Sequence, residues 1–355
     1  MGYIIQKTLP KSDLVLQRLP LADDLSHEVG RSRAEICDIL KGKDPRKILI
    51  VGPCSAWPSE AVVEYAEKLK PLADKVSDQI KVILRSYIQK PRTRLGWLGP
   101  LNQVDPFSPP DIEAGIFYCR EMMIKVLEIG LPLADEALFT HNDSYFVDLL
   151  SWIAIGARST EDQEHRIFAS MIPHPVGFKN PTSGNIQIGV NSIVAAQHPH
   201  VCALHGKQIL TSGNPFAHYI LRGGDSKPNY SLYKLQKATR LMKEAGILNS
   251  SIIVDASHEN SIDETGKKNP HRQPQVIREV IESLAQDKEV GQTVKGFMME
   301  SFLETGKQDM SNFQCVKDLE HGVSITDACL GMKETTECVL EMAEMLKQMN
   351  KKSVQ

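Results

Sequence analysis

The chain has 355 residues, which is enough for one large barrel or for two average domains. With 41% hydrophobic and 24% charged residues it has the composition of a globular protein, and this excludes disordered and collagen-like classes. The net charge of -3 provides no overall field that would attract nucleic acid or an anionic membrane, so we expect no nucleic-acid partner.

Short runs rich in Val, Ile and Leu alternate with amphipathic stretches from residue 47 onward, the pattern of successive βα units around a parallel sheet. The predicted strands are 47–52, 80–87, 131–136, 152–157, 175–180, 201–206, 218–224, 251–257 and 294–300. The predicted helices are 59–75, 111–130, 231–246 and 274–286, with an amphipathic helix near 24–41 and a closing helix at the C-terminal end.

Nine strands are one more than an eight-stranded barrel needs, and 201–206 lies too close to 218–224 for a helix to fit between them. We therefore expect one of these two runs to belong to a small extra hairpin within 201–224. Because no Gly- or Ser-rich linker divides the chain, the sequence predicts a single α/β domain. This domain is a (β/α)8 TIM barrel over 46–355, preceded by an N-terminal extension at 1–45.

Two further features concern the cellular compartment. No apolar run approaches the roughly 18 residues of a membrane span, and the first residues lack the apolar segment of a signal peptide. The seven cysteines form no CxxC pair, which argues against a disulfide framework or a zinc finger. We therefore expect a cytoplasmic protein with no membrane association.

One side chain capable of chemistry stands at or just after the end of each of eight predicted strands. In a parallel barrel these ends meet at one mouth, where barrel enzymes carry their active sites. The eight residues are Cys54, Arg85, Glu136, Arg158, Lys179, Arg222, His258 and Glu300. A single strand-end Arg or Glu is usually part of a surface ion pair, but eight such residues together indicate an active site.

Cations make up one part of this set, and the neighbouring KPRT segment adds two more. They are Arg85, Lys90, Arg92, Arg158, Lys179 and Arg222. Arg offers a planar fork to phosphate or carboxylate and Lys offers a point charge, so the group could hold two phosphates and a carboxylate. The alternative is a set of separate salt bridges to Glu and Asp.

A second part of the set could bind a metal ion. Cys54, His258 and Glu300, with the later Asp327, offer thiolate, imidazole and carboxylate ligands. This mixture suits Mn, Fe, Co or Zn and does not favour Mg. The four residues are far apart in sequence, so only the fold can bring them together, and a buried inert thiol is the alternative for Cys54.

Six motifs in the chain resemble those of one family. They are VGPCS (51–55), KPRTRLGWLG (90–99), GARSTEDQEHR (156–166), PVGFKN (175–180), TSGNP with ILRGG (211–224) and DASHENS (255–261). The chain resembles the type I 3-deoxy-D-arabino-heptulosonate 7-phosphate (DAHP) synthases of bacteria and fungi from about residue 10 to about residue 345. The resemblance implies a transferase that joins phosphoenolpyruvate to erythrose 4-phosphate and releases phosphate. This reaction is the first step of the shikimate pathway to chorismate and the aromatic amino acids.

The resemblance also implies roles for individual residues. The implied ligands of one divalent metal ion are Cys54, His258, Glu300 and Asp327. The implied substrate-binding residues are Arg85, Lys90, Arg92, Thr93, Glu136, Ala157, Arg158, Lys179 and Arg222, of which Lys90, Arg92 and Thr93 meet the sugar phosphate. The implied catalytic residues are Lys90 as a proton donor, Glu136 beside the attacking water, and the ligands Cys54 and His258.

The chain departs from the family pattern at several positions. The usual GEFLD is DEALF at 135–139, which introduces Phe139, the Lys of GWKG is Leu98, ESH is ESF with Phe302, and KNGTDG is KNPTSG at 179–184. No implied ligand is lost, but the changes cluster at the mouth, so the acceptor is either erythrose 4-phosphate or a different phosphorylated aldose. A catalytically silent binding or regulatory homologue is a further alternative. The N-terminal extension resembles the family segment that joins subunits, so we expect a homo-oligomer, either a dimer or a tetramer.

Overall fold

A closed barrel of eight parallel strands forms the centre of the computed structural model, which describes residues 2–138, 140–204 and 206–352. The strands are β1 (Lys47–Gly52), β2 (Ile80–Arg85), β3 (Leu133–Glu136), β4 (Leu150–Ile155), β5 (Val176–Lys179), β6 (Val201–Leu204), β7 (Lys207–Leu210), β8 (Ala217–Leu221), β9 (Ile252–Asp255) and β10 (Val294–Glu300). Around the barrel the order is β1-β10-β9-β8-β5-β4-β3-β2. The predicted (β/α)8 barrel is confirmed.

Ten α-helices belong to the described part of the chain. They are α1 (Ser12–Arg18), α2 (Asp23–Lys41), α3 (Ser59–Lys75), α4 (Ile112–Ile129), α5 (Gln163–Met171), α6 (Ile186–Gln197), α7 (Leu232–Glu244), α8 (Gln273–Gln286), α9 (Lys288–Thr293) and α10 (Met332–Lys352). Among these helices, none combines the length and the apolar character that crossing a membrane requires.

Local sequence signals explain where α4 begins and ends. The Asp111 carboxylate accepts a hydrogen bond from the backbone N–H of Ala114, one of the free donors of the first turn. After the last turn, Gly130 adopts a left-handed conformation with φ of 92°, which a glycine takes without steric cost. The helix predicted at 111–130 is confirmed to within one residue at each end.

The extra hairpin is confirmed, and it consists of β6 and β7, which form a separate two-stranded sheet in the described part of the chain. The run predicted at 201–206 supplies its first strand, whereas the run predicted at 218–224 overlaps β8 of the barrel. The second hairpin strand, β7, is short and mostly exposed, so it lacks the buried apolar run by which a strand is recognised in sequence.

Alternation along each strand separates the barrel interior from the outer layer. In β1, Ile48 and Ile50 belong to the interior cluster of buried residues, whereas Leu49 and Val51 belong to the cluster between the strands and the helices. Successive side chains of a strand point to opposite faces, so one parity in each strand faces inward. The last inward-facing residue of each strand therefore lies at the mouth of the barrel.

Large apolar side chains fill the barrel interior below the mouth. Trp152 from β4 is fully buried there, and Gly177 of β5 leaves the room it needs, since a Cβ at Gly177 would lie 2.5 Å from the Trp152 ring. Ile36, Ile39 and Leu40 of α2 belong to the same cluster. The helix before β1 therefore packs against the interior residues, and this end of the barrel is closed.

Candidate active site at the barrel mouth

Strand parity places the charged groups of the candidate site. Arg85, Glu136 and Glu300 each follow an inward-facing residue of their strand by two positions, namely Ile83, Ala134 and Met298. Lys179 follows the inward Gly177 in the same way. All four charged side chains thus face the interior at the C-terminal ends of their strands.

Three of the four predicted metal ligands come together. The Cys54 sulfur, a Glu300 carboxylate oxygen and an Asp327 carboxylate oxygen all lie within 4.8 Å of one another. Glu300 Oε1 is buried and accepts no hydrogen bond from any residue that the structure describes, although it lies 3.0 Å from an Arg85 nitrogen. A thiol and two carboxylates are suitable ligands for a divalent metal ion, and one of the carboxylate oxygens is buried without a hydrogen-bond donor. These three groups therefore form a candidate metal site.

The fourth predicted ligand, His258, lies beside this group, with Nε2 3.8 Å from Glu300 Oε1. It adopts a left-handed backbone conformation with φ of 55° at the turn that follows β9. On the other side of the ring, Nδ1 lies 2.8 Å from Asp255 Oδ2. An acid at this position can orient an imidazole and leave its second nitrogen for a metal.

Hydrogen bonds hold Glu300 in place. Ser257 Oγ donates to Glu300 Oε2 over 2.8 Å, and the side chain of Gln273 donates to the backbone oxygen of Glu300 and accepts from its N–H. Burial would raise the pKa of the Glu300 carboxyl, but His258 and Arg85 outweigh burial and lower it. Glu300 is therefore a fixed carboxylate.

Lys90 reaches the same group of ligands. Its Nζ donates to the Cys54 sulfur over 2.5 Å and lies 3.5 Å from Asp327 Oδ2. Burial would lower the pKa of Lys90, but Cys54 and Asp327 outweigh burial and raise it, so the amine is protonated. Burial raises the pKa of the Cys54 thiol to about 11, which means that metal binding there would release a proton.

A cavity of about 430 Å³ opens next to this cluster. All nine predicted substrate-binding residues line it, as do His258 and Asp327. Among the described residues, eight Lys or Arg side chains but two carboxylates face the cavity. Even after the ion pairs described below, the excess of positive charge suits a strongly anionic ligand.

Ion pairs join several of these cations to acids. Lys179 Nζ lies 3.3 Å from Glu136 Oε2, and Arg222 contacts Glu259. The alternative of separate salt bridges is thus partly realised, but Lys179, Glu136 and Arg222 all line the same cavity and do not lie apart on the surface. Buried pairs of this kind cost free energy to assemble, so they are weak evidence for a purely stabilising role.

Glu136 occupies a space that its neighbours leave open. A Cβ at Gly156 would lie 2.6 Å from Glu136 Oε1, so the glycine makes room for the carboxylate. This oxygen is buried and accepts no hydrogen bond within the described residues. Burial would raise the pKa of Glu136, but Lys179 and Arg85 outweigh burial and lower it, so Glu136 is an ionised acceptor.

Residues 92–96, which follow the buried Lys90, form the exposed rim of the cavity. Arg158 Nη2 donates to Thr93 Oγ1 over 2.8 Å and so connects two of the predicted substrate-binding residues. The nearby Gly96 has φ of 149°, and a Cβ there would lie 2.8 Å from Arg92 Nε. The glycine therefore lets Arg92 pack close to the rim.

Several residues of the site were missed in the sequence. Asp255 could have been found, because it follows the inward-facing Ile253 by two positions in β9. Tyr87 could have been found in the same way, because it follows Arg85 by two positions within the predicted strand 80–87 and belongs to the interior cluster with Ile83. Arg94 and Lys268 also line the cavity, but they lie in loops, where the sequence carries no such periodicity.

The departures from the family pattern lie in different surroundings. Phe302 is buried, with its ring 6.1 Å from that of Tyr65, whereas Leu98 is exposed near the rim. Phe139 lies outside the described residues.

Comparisons with known proteins all match one family. The DAHP synthetase I family matches residues 19–341. The Tyr-sensitive phospho-2-dehydro-3-deoxyheptonate aldolase of Salmonella typhimurium is 40% identical over 328 residues, which are 91% of this chain and 89% of that protein. The tyrosine-inhibited phospho-2-dehydro-3-deoxyheptonate aldolase of Schizosaccharomyces pombe is 38% identical over 353 residues, which are 98% of this chain and 92% of that protein.

A solved structure is similar over nearly the whole chain. The phospho-2-dehydro-3-deoxyheptonate aldolase of Francisella tularensis SCHU S4 has a TM-score of 0.88 at 34% sequence identity. The similarity covers 98% of this chain and 99% of that one.

Proposed function

The chain belongs to the DAHP synthetase I family, and we propose that it condenses phosphoenolpyruvate with erythrose 4-phosphate and water to give DAHP and phosphate, with one divalent metal ion bound. The proposal depends on one observation, that the predicted metal ligands and the predicted substrate-binding cations lie side by side at one mouth of the barrel. The candidate metal ligands adjoin a cavity lined by cations that suit two phosphates and a carboxylate.

The phosphoenolpyruvate end of the cavity is assigned to Arg85, Arg158, Lys179 and Arg222, with Ala157 beside them. Phosphoenolpyruvate carries a phosphate and a carboxylate, and the guanidinium groups can each take two oxygens of either. Lys90, Arg92 and Thr93 form the other end, to which we assign the sugar phosphate. The cations also stabilise negative charge as it moves during the reaction.

Cys54, His258, Glu300 and Asp327 would hold the metal ion. When bound, a divalent ion supplies Lewis acidity that makes an aldehyde carbon a better electrophile. Mn, Fe, Co and Zn all suit these ligands.

The protein's own residues then move the protons. As C3 of phosphoenolpyruvate forms a bond to the aldehyde carbon, the aldehyde oxygen gains negative charge, and Lys90 donates a proton to it. Positive character develops at C2, and Glu136 orients and deprotonates the water that adds there. In the resulting hemiketal phosphate, the bond between C2 and the phosphate oxygen breaks and leaves the keto group of the product. One phosphate is thus released for each phosphoenolpyruvate joined to an aldose phosphate.

An assay with a panel of aldose phosphates tests this function. We expect metal-loaded protein to consume phosphoenolpyruvate with erythrose 4-phosphate and to release one phosphate for each molecule consumed. Chelation should abolish turnover, and Mn, Co or Fe should restore it. Faster turnover with another aldose phosphate would indicate the sister synthase, and full turnover by metal-free protein would exclude the metal's role.

We also propose a homo-oligomer, a dimer or a tetramer. Tyr3, Ile4 and Ile5 are 68%, 89% and 77% exposed, while Lys7 and Pro10 bind Asp111 and Tyr145 of the barrel. An anchored segment that leaves three large apolar side chains in solvent is suited to contact a second copy. Light scattering should give a multiple of the 39.6 kDa chain mass, and a stable monomer would contradict the proposal.

A further inference from the structure

Asp135 is a buried carboxyl group that the mechanism above does not use. It follows the inward-facing Ala134 in β3, so strand parity directs it outward, away from the cavity and toward the helix layer. Its residue exposure is 7%, and the buried Cys119 of α4 is among its neighbours. Burying a carboxyl group in such a layer costs free energy unless its oxygens accept hydrogen bonds, so the donors to Asp135 indicate its role.

Two backbone amides donate to the same oxygen of Asp135. Glu136 N–H donates to Oδ1 over 2.8 Å, and Ile88 N–H donates to it over 3.3 Å. The ladder between β2 and β3 ends just before this point, where Ser86 N–H donates to the backbone oxygen of Ala134. In a parallel ladder alternate residues donate, so Ile88 would be the next donor. The Asp135 side chain therefore takes the place of the next backbone acceptor.

This substitution for a ladder bond lets the chain leave the sheet at Ile88. Beyond it, Lys90 N–H donates to the backbone oxygen of Leu98 over 2.9 Å, which fixes the buried Lys90 backbone at the base of the rim. From there Lys90 Nζ reaches the Cys54 sulfur at 2.5 Å. Only Gln89 separates Ile88 from Lys90, so a shift of Ile88 is carried directly to the amine.

We propose that Asp135 is a positioning residue, which holds Ile88 so that Lys90 stands next to the candidate metal ligands and the acceptor end of the cavity. The kinetic part of this inference rests on the proposed function, in which Lys90 donates a proton to the aldehyde oxygen of the aldose phosphate. Its structural part, the anchoring of Ile88, stands independently of that function.

The charge of Asp135 is not required for this role. Burial raises the pKa of the Asp135 carboxyl to about 8, so near neutral pH the group is largely a neutral acid with a carbonyl-type acceptor. An asparagine offers a similar oxygen at the same distance from the backbone. Asp135→Asn can therefore keep the anchor, whereas Asp135→Val keeps the approximate volume and removes the acceptor.

Steady-state kinetics and amide hydrogen exchange of three variants test the proposal. Asp135→Val should lower kcat by at least about tenfold and raise KM for the aldose phosphate, while phosphoenolpyruvate binding changes by less than about twofold. Exchange of the amides in 87–90 should become faster. Asp135→Asn should retain kcat within about threefold. Cys119→Ala disturbs the same layer but removes neither of the two hydrogen bonds to Asp135, so it should leave both KM values unchanged. If Asp135→Val does not fold, Asp135→Ala takes its place.

Several results would overturn the inference. The first is unchanged kinetics in the Asp135 variants that lack a hydrogen-bond acceptor. The second is an equal loss of activity in Asp135→Asn and Asp135→Val, and the third is rapid exchange of the Ile88 amide in the wild type. A wild type inactive with every aldose phosphate would instead contradict the proposed function. In that case the exchange of 87–90 in Asp135→Val still decides whether Asp135 anchors the segment.

Discussion

Cys54→Ser is expected to remove metal binding and to lower activity by at least about 100-fold, while the metal-free protein melts close to the wild-type temperature. Cys54 is fully buried and belongs to the group of three ligands within 4.8 Å. Serine has nearly the same volume, so packing is preserved, but a neutral hydroxyl is a much poorer ligand than a thiolate. Excess metal should rescue activity only in part.

Calorimetric titration with Mn or Co, thermal melts without metal, and turnover together distinguish the roles open to Cys54. A ligand role predicts weak metal binding with an intact fold. A packing role predicts a modest loss of stability with activity retained, and a nucleophile role predicts full metal binding without turnover. Cys338→Ser is the matched control, because Cys338 is also buried but lies in α10 away from the cavity. A Cys54→Ser protein that binds full metal and turns over normally would contradict the assigned site.

Lys179→Ala should have the second large effect, a decrease in kcat/KM for phosphoenolpyruvate of about 100-fold or more. The Lys179 side chain is 4% exposed, and its Nζ lies 3.3 Å from Glu136 Oε2. The substitution removes a cation that binds the substrate, and it also leaves Glu136 as a buried carboxylate with one fewer partner. We therefore expect KM to rise and kcat to fall together.

Arg158→Ala should act in the same direction with a smaller effect, because Arg158 lies at the exposed rim. Lys243→Ala is the control for a general loss of a surface charge, since Lys243 forms an exposed pair with Glu289. Initial rates over a range of phosphoenolpyruvate concentrations give both constants. Unchanged kinetics in Lys179→Ala and Arg158→Ala would show that these cations do not bind the substrate and only form ion pairs.

The barrel and much of the site could be predicted from sequence because both depend on strand periodicity. A buried strand with a charged residue after its last inward position is recognisable, as at Arg85, Glu136 and Glu300. The hydrophobic helix α6 and the short helices α1, α5 and α9 were not predicted. Periodicity is weak in short or uniformly apolar segments, and tertiary packing then decides their structure.

The contacts between loops could not be predicted. Nothing in the sequence spacing indicates that Lys90 donates to Cys54, because that distance depends on how the segment after β2 leaves the sheet. The same applies to His258, whose left-handed backbone carries no residue signal, and to Asp135, which stands out only once its hydrogen bonds are known.

The central claim is that one mouth of the barrel holds a divalent metal ion next to the phosphoenolpyruvate site. A crystal structure of the Mn-loaded protein with phosphoenolpyruvate, with anomalous data, tests it most directly. We predict one strong anomalous peak between Cys54, His258, Glu300 and Asp327, with phosphoenolpyruvate bound by Arg158, Lys179 and Arg222. A peak elsewhere, or an intact contact between Lys90 and Cys54 with no metal beside it, would contradict the claim.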